Sequence, residues 1–300
     1  MELPVPTSPA RPTARRIRLA LIALVAIAAG AYAAAVVRLM TQETELIFRT
    51  ANAPADHKPP FPYEQVDLPR ADGARQFAWK MQREEAGSNR DADRTWVLYL
   101  HGNASTVASR MNVKHYGGLR ELGLNVLAPE YRGYNGLEGV PSEAGVAADA
   151  RAAYDYLRDR LGIPAERVVI FGWSLGAAVA VGLASTVEAH AVVLEGAPAS
   201  IVDIGQERYP IFPVRWIIRN PFNAIEKVGG IRAPLLFLHS REDTIVPFKD
   251  GRRLFDAAPS PKTFVEVRGG HIESSEIDRD VFYGAVRSFL QASATRPQSH

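Results

Sequence analysis

The chain contains no cysteine. Disulfides, zinc–thiolate centres, cysteine nucleophiles and cysteine-linked lipids are therefore excluded, while the redox compartment stays open. Histidine is sparse, and no H-E-x-x-H pair occurs. His57, His115, His190, His239 and His300 are scattered without ligand spacing. No catalytic metal is expected from them, and no cofactor. A basic stripe is also missing: the formal net charge is only +2, so nothing points to nucleic acid. No internal repeat is apparent. What the chain does have is bulk, with 300 residues that are 47% apolar, enough for a sizeable core.

The charge that exists is unevenly placed. Arg11, Arg15, Arg16, Arg18 and Arg38 oppose only Glu2 within residues 1–40, a net of about +4 by formal charge. Between these arginines runs Leu19 to Val37, LALIALVAIAAGAYAAAVV, without one charged residue. About 20 apolar residues suffice to cross a bilayer core as a helix. The cluster Arg15, Arg16 and Arg18 before the run places the N-terminus inside and the rest of the chain outside, in the periplasm of a bacterial cell. The run exceeds the apolar core of an ordinary signal peptide, which favours a retained signal anchor over residues 19–40. Cleavage after the small-residue sites Ala31-Tyr32-Ala33 or Ala33-Ala34-Ala35, giving a secreted protein, and a buried soluble helix are the alternatives. Residues 1–18 and 293–300 are expected to be disordered and 41–62 to form a linker, marked by the prolines between Thr50 and Pro62.

From residue 63 to about 292 the pattern alternates. Short apolar or β-branched runs occupy Trp96–Leu100, Asn125–Ala128, Val168–Phe171, Ala191–Leu194, Pro234–Leu238 and Thr263–Val267. Helical spacing links Ala147, Ala150, Tyr154, Leu157 and Leu161 within Ser142–Leu161, and further helical stretches surround Leu254 and span Val281–Leu290. Strands alternating with helices imply an α/β class with a mostly parallel central sheet flanked by helices. Tyr63–Leu68 and Gln76–Met81, on either side of Ala71-Asp72-Gly73, read as a leading antiparallel hairpin. The segment 200–223, rich in proline and aromatic residues, interrupts the rhythm and reads as a small cap over the C-terminal edge of the sheet, where open α/β folds bind ligands.

Gly172-Trp173-Ser174-Leu175-Gly176 fits G-x-S-x-G directly after a buried strand. A sharp strand-to-helix turn there would lift Ser174 out of the sheet and aim the Leu175 N–H at a developing oxyanion. A serine needs a base and the base needs an orienting carboxylate. His271 follows the last strand and Asp243 the one before, which makes Ser174, His271 and Asp243 the candidate triad. Glu195 and Glu242 are rival carboxylates. In His101-Gly102-Asn103-Ala104, after another strand, the backbone N–H of Asn103 is the candidate second oxyanion donor, with Ala104 next. His101 reads as structural. Arg132 reads as bonded within its loop rather than to substrate, and Trp173 either lines an acyl pocket or packs beneath the turn.

These residues, in the order Ser, Asp, His, resemble the α/β-hydrolase superfamily. More narrowly the chain is similar to the BEM46-like membrane-anchored serine hydrolases, over roughly residues 63–290. The likeness rests on His101-Gly102-Asn103-Ala104, Tyr131-Arg132-Gly133-Tyr134 with Pro141-Ser142-Glu143, the G-x-S-x-G turn, and Asp243 followed by Val246-Pro247. Ser105-Thr106, Ala177, His239-Ser240 and Ile272-Glu273 depart from that group's usual residues. The resemblance implies a serine esterase or thioesterase acting on a small-molecule or lipid-like acyl substrate. A peptidase or acyltransferase with the same triad, and a membrane-tethered binding protein on a hydrolase scaffold, are the alternatives.

Overall fold

The computed structural model describes residues 14–70, 72–83 and 94–294. Disorder was expected at residues 1–18 and 293–300, but 14–18 and 293–294 are helical; the rest of those two stretches, and Ala71 of the expected hairpin turn, lie outside the described residues. The chain forms two compact units, residues 1–43 and 44–300.

Helix α1, Ala14–Phe48, is 35 residues long and begins in the first unit. It is long and apolar enough to cross a membrane, and its apolar window is exposed throughout. At 1.5 Å per residue the uncharged run alone is about 28 Å of helix, close to the thickness of a bilayer core. The boundary expected at residue 40 does not interrupt the helix. Its last turn belongs to the second unit, where the Phe48 side chain, 1% exposed, joins the core.

The second unit is built on one eight-stranded sheet ordered β1-β2-β4-β3-β5-β6-β7-β8. Strands β1 (Glu64–Leu68) and β2 (Gln76–Met81) pair antiparallel, and β2 is antiparallel to β4 (Asn125–Pro129). From β4 the sheet is parallel, through β3 (Trp96–Leu100), β5 (Val168–Trp173), β6 (Ala191–Glu195), β7 (Leu235–Ser240) and β8 (Lys262–Val267). Every residue of β3, β4, β5, β6 and β7 is buried, which is why these strands read as unbroken apolar runs rather than alternating ones.

Alternation survives as a division between two faces. Leu98, Leu100, Ile170, Val192 and Leu194 pack on one side with α3 (Glu143–Asp155), α4 (Leu175–Ala184), the short α7 (Ala224–Lys227) and α8 (Phe248–Ala257). Val97, Tyr99, Val169, Phe171 and Val193 pack on the other with α2 (Arg110–Glu121) and α10 (Arg279–Ala294), which the short α9 (Ser274–Ile277) precedes. Successive side chains of a strand point to opposite faces, so a strand with two apolar faces needs helices on both. Ser142 caps α3, its Oγ accepting from the Gly145 N–H at 3.1 Å. The helix was expected to reach Leu161, but its last turn widens over Tyr156–Arg160, with Leu161 N bonding Tyr156 O at 3.1 Å. That widening keeps Leu157 fully buried.

Segment 200–223 carries two short helices, α5 (Ile201–Arg208) and α6 (Val214–Ile217). Asp203 pairs with Arg215 within the segment, and ion pairs from Asp203 to Arg253 and from Glu207 to Lys249 hold it to α8. Val202, Val214 and Phe222 are buried beneath it, whereas Trp216 is 89% and Ile211 71% exposed.

Leu98 sits in a central strand with no exposed surface. Leu98→Ala is expected to lower unfolding free energy by about 2–5 kcal/mol, the usual range for such truncations, read from denaturant titration.

Candidate active site

Strand β5 ends at Trp173 and α4 begins at Leu175, leaving Ser174 alone to make the turn, at φ 56° and ψ −123°. That backbone is costly for any L-residue and is held by its surroundings. The Ser174 N–H donates to Glu195 O at 2.9 Å, and its carbonyl accepts from Ala177 N at 2.9 Å. Both flanking glycines are required by space. A Cβ on Gly172 would lie 2.5 Å from Ala177 Cα, and one on Gly176 would lie 2.5 Å from His101 O and collide with Leu100 O. The absence of side chains thus lets α4 start directly against the ends of β3 and β5.

The loop after β8 brings His271 over this turn. Its Nε2 lies 2.7 Å from Ser174 Oγ and its Nδ1 lies 2.6 Å from Asp243 Oδ2. A carboxylate only accepts, so Nδ1 carries the ring proton and Nε2 of the neutral ring accepts from the serine hydroxyl. Asp243 is fixed in turn: its Oδ1 accepts from Ile245 N at 2.9 Å and Val246 N at 2.8 Å. Burial disfavours its charge, but hydrogen bonds from His239, His271 and the Val246 N–H, with the electrostatic attraction of the His271 ring, outweigh burial. The carboxyl is held well below the usual carboxylate range and stays ionised at neutral pH.

The rival carboxylates stand elsewhere. Glu242 is exposed. Glu195, 2% exposed, binds His115 Nε2 at 2.8 Å and accepts from Ser274 Oγ at 3.0 Å. Burial opposes a charge on His115, yet the Glu195 carboxylate outweighs it and raises the imidazole above its ordinary value. Trp173, 5% exposed, stacks on His115 at 5.8 Å and on His271 at 6.1 Å, and donates through Nε1 to His271 O at 3.3 Å. It packs beneath the histidine loop.

His101 is fully buried, with Nδ1 donating to Gly102 O at 2.8 Å and Nε2 3.0 Å from Glu130 Oε1. Arg132 binds Asp149 through Nη2 at 2.6 Å and Nε at 3.0 Å, and its own N–H reaches the same carboxylate at 2.9 Å. Both are occupied by structure. In the loop between β3 and α2, Ala104 N donates to Phe48 O at 3.0 Å. The Ala104 N–H is thereby occupied, and that of Asn103 stands as the candidate oxyanion donor. Gly102 lets this loop approach: a Cβ there would lie 3.1 Å from Ser174 Cβ.

Several contributors had no signal in the sequence. Gly196, at φ +55°, roofs the pair, for a Cβ there would lie 3.0 Å from His271 Cε1 and 3.5 Å from Asp243 Oδ2. His115, His239 and Ser274 belong to the surrounding hydrogen-bond network yet lie in unremarkable contexts. Among the described residues no cluster of three or more His, Asp or Glu side chains could hold a metal.

A parallel sheet with an antiparallel edge, and a serine–histidine–aspartate chain at the C-terminal ends of its strands, define an α/β-hydrolase fold. Residues 97–272 match the alpha/beta hydrolase family, and the chain belongs to it. An uncharacterized protein of Mycobacterium tuberculosis is 38% identical over 228 residues, 76% of this chain and 79% of that protein. A protein named lysophosphatidylserine lipase from Danio rerio is 33% identical over 185 residues, 56% of this chain and 48% of its own length. The structure also resembles that of the Pyrococcus furiosus esterase Pf2001, with a TM-score of 0.65 at 20% identity, over 82% of this chain and 98% of that one.

Two outcomes are expected from these contacts. Gly176→Ala cannot be accommodated against two backbone carbonyls and should yield little folded protein in a thermal-shift assay. Arg132→Ala removes the guanidinium from buried Asp149 and leaves it the backbone N–H of residue 132 and Arg70 Nε at 4.0 Å, at a cost of up to about 3–5 kcal/mol. Denaturant titration should show that loss with KM unchanged, whereas an Arg132 that bound substrate would show a raised KM.

Proposed function

We propose that this chain is a membrane-anchored serine hydrolase that cleaves an ester or thioester through an acyl-enzyme on Ser174. The observation that carries this reading is the unbroken chain from Ser174 Oγ to His271 Nε2 at 2.7 Å and from His271 Nδ1 to Asp243 Oδ2 at 2.6 Å. Ser174 Oγ attacks the carbonyl carbon as His271 Nε2 takes its proton. The N–H groups of Asn103 and Leu175 receive the tetrahedral oxyanion, the second at the N-terminus of α4. The carbon–oxygen or carbon–sulfur bond breaks and His271 returns the proton to the departing alcohol or thiol. Water then attacks the acyl group, His271 accepts a proton from it, and the free acid leaves with Ser174 regenerated. Asp243 acts through His271, fixing the tautomer and stabilising the imidazolium.

A hydrophobic, lipid-like acyl group is the substrate class we favour. The long apolar helix α1, the exposed Trp216 and Ile211 of the cap, and a relative named for lysophosphatidylserine lipase action support it. The BEM46-like assignment is supported by the same helix and by the motifs around His101, Tyr131 and Asp243. In this reading residues 19–40 anchor the chain, the arginines before them stay inside, and the hydrolase domain lies outside.

The test is covalent labelling of the full chain in detergent with a fluorophosphonate. Labelling should vanish in Ser174→Ala, and its full retention there would sink the proposal. Asp243→Asn should lower kcat by about 10⁴ through the wrong tautomer. Glu195→Gln should leave most of the activity. The reverse ranking would move the orienting role to Glu195. An ester series of graded chain length should show kcat/KM rising with acyl length.

A further inference from the structure

The C-terminal end of α1 is bonded to the loop that supplies the proposed oxyanion donor. The last carbonyls of any helix lack intrahelical partners. Here the Asn103 side chain donates through Nδ2 to Ile47 O at 2.8 Å, and the Ala104 N–H donates to Phe48 O at 3.0 Å. Arg49, at φ 52°, ends the helix in a left-handed conformation, a common helix stop. Ala104 is also left-handed, at φ 51° and without the freedom of glycine, so this loop holds a strained shape that its contacts must maintain.

The bonding continues along the chain. Thr106 Oγ1 and Ser109 Oγ donate to Pro54 O at 2.6 and 2.7 Å, and His57 N donates to Ala108 O at 2.9 Å. The segment from Ile47 to His57 therefore lies as a strap along the whole loop between β3 and α2. Its first part is anchored independently of that loop. Tyr134 Oη donates to Phe48 O at 2.6 Å, and the Phe48 ring, buried in the core, meets the Phe222 ring edge-on at 5.9 Å. The loop's opposite side presses on the nucleophile turn, where a Cβ on Gly102 would meet Ser174 Cβ. The loop is thus held between the end of α1 and the serine.

We propose that the end of α1 is a working part of the site and that the Asn103 side chain is a positioning residue. Its amide, bonded to Ile47 O, sets the direction of the Asn103 backbone N–H toward the oxyanion. One residue then performs two tasks: its main chain donates to the transition state, and its side chain fixes where the main chain points. This rests on the acyl-enzyme reading of Ser174. An oxyanion donor acts only on the transition state, so a misdirected N–H lowers kcat and leaves KM nearly unchanged. Displacements near 1 Å cost up to roughly 10²-fold in rate.

The experiment uses the full chain in detergent, with ester turnover normalised to active sites by fluorophosphonate titration. Asn103→Ala keeps the backbone N–H and removes the tie to Ile47. Asn103→Asp keeps the shape and replaces the donor with a second acceptor facing that carbonyl. Both should lower normalised kcat roughly 10- to 100-fold with KM within about twofold. Tyr134→Phe, which frees the Phe48 carbonyl at the far side, should give a smaller fall of the same signature and serves if the Asn103 variants do not fold. Asn103→Ala and Asn103→Asp with wild-type normalised kcat, or Tyr134→Phe alone with wild-type kcat when neither folds, would overturn the proposal. A merely structural role would lower melting temperature and active-site number but leave normalised kcat intact, which also overturns it. Ser174→Ala separates the two levels: its continued turnover would refute the acyl-enzyme itself, whereas its inactivity beside unaffected Asn103 variants would refute only the positioning role.

Discussion

The approach of α4 to the end of β3 is the constraint on which the rest depends. Gly176 rests against the carbonyls of Leu100 and His101 with no room for a methyl group. Only that closeness lets a helix start one residue after a strand, and only that turn forces Ser174 to φ 56°. Such a backbone costs of order 1–3 kcal/mol and persists because its neighbours over-determine it. The compensation is visible in the burial of nearly all of α4, whose Ala177, Ala180 and Val181 have no exposed surface. The strained serine is therefore stabilised by an ordinary apolar core.

Around that turn the sheet gathers three carboxylates paired with histidines at the C-terminal ends of its strands, Asp243 being shared by His271 and His239. His271 meets Asp243, His115 meets Glu195 and His101 meets Glu130. Parallel strands end in carbonyls and side chains that need polar partners once helices cover both faces. Two of the pairs meet that need, and one of them, His115–Glu195, also supports Trp173 beneath the histidine loop. The third differs because His271 enters on a loop from the sheet's far side and presents its second nitrogen to Ser174. What sets this pair apart is a second nitrogen facing the serine hydroxyl, within a set whose members are otherwise alike.

Residues 47–57, just before the sheet, are integrated with the site rather than appended to it. The helix that carries the apolar run continues to Phe48, which is buried in the hydrolase core, and Pro54 and His57 bond the loop after β3. Proline-rich chain of this kind reads as a passive connector because it forms no ladder of its own. Its carbonyls nevertheless serve as acceptors for another loop, and a carbonyl's role leaves no mark on residue identity.

Much of the architecture was legible in the sequence because its signals are local. Unbroken β-branched runs between amphipathic stretches can be satisfied only by strands buried on both faces, and each expected strand falls within two residues of its observed bounds. Gly172 reports a steric requirement that acts within five residues, whereas Gly176 answers to the carbonyls of Leu100 and His101, far away in sequence. Ser142 marked the start of α3, but the widened turn at Tyr156–Arg160 was not legible, since it follows from where Leu157 must sit in the core. The tertiary structure alone decided which carboxylate meets His271. Asp243 and Glu195 both follow strands, and only the three-dimensional arrangement turns Glu195 toward His115 and Ser274. It alone also paired the Ala104 N–H with Phe48 O and placed Gly196 over the histidine. These outcomes depend on contacts between segments tens of residues apart. Sequence identity fixes what a side chain or carbonyl can bond, while packing of the whole sheet fixes which partner it reaches.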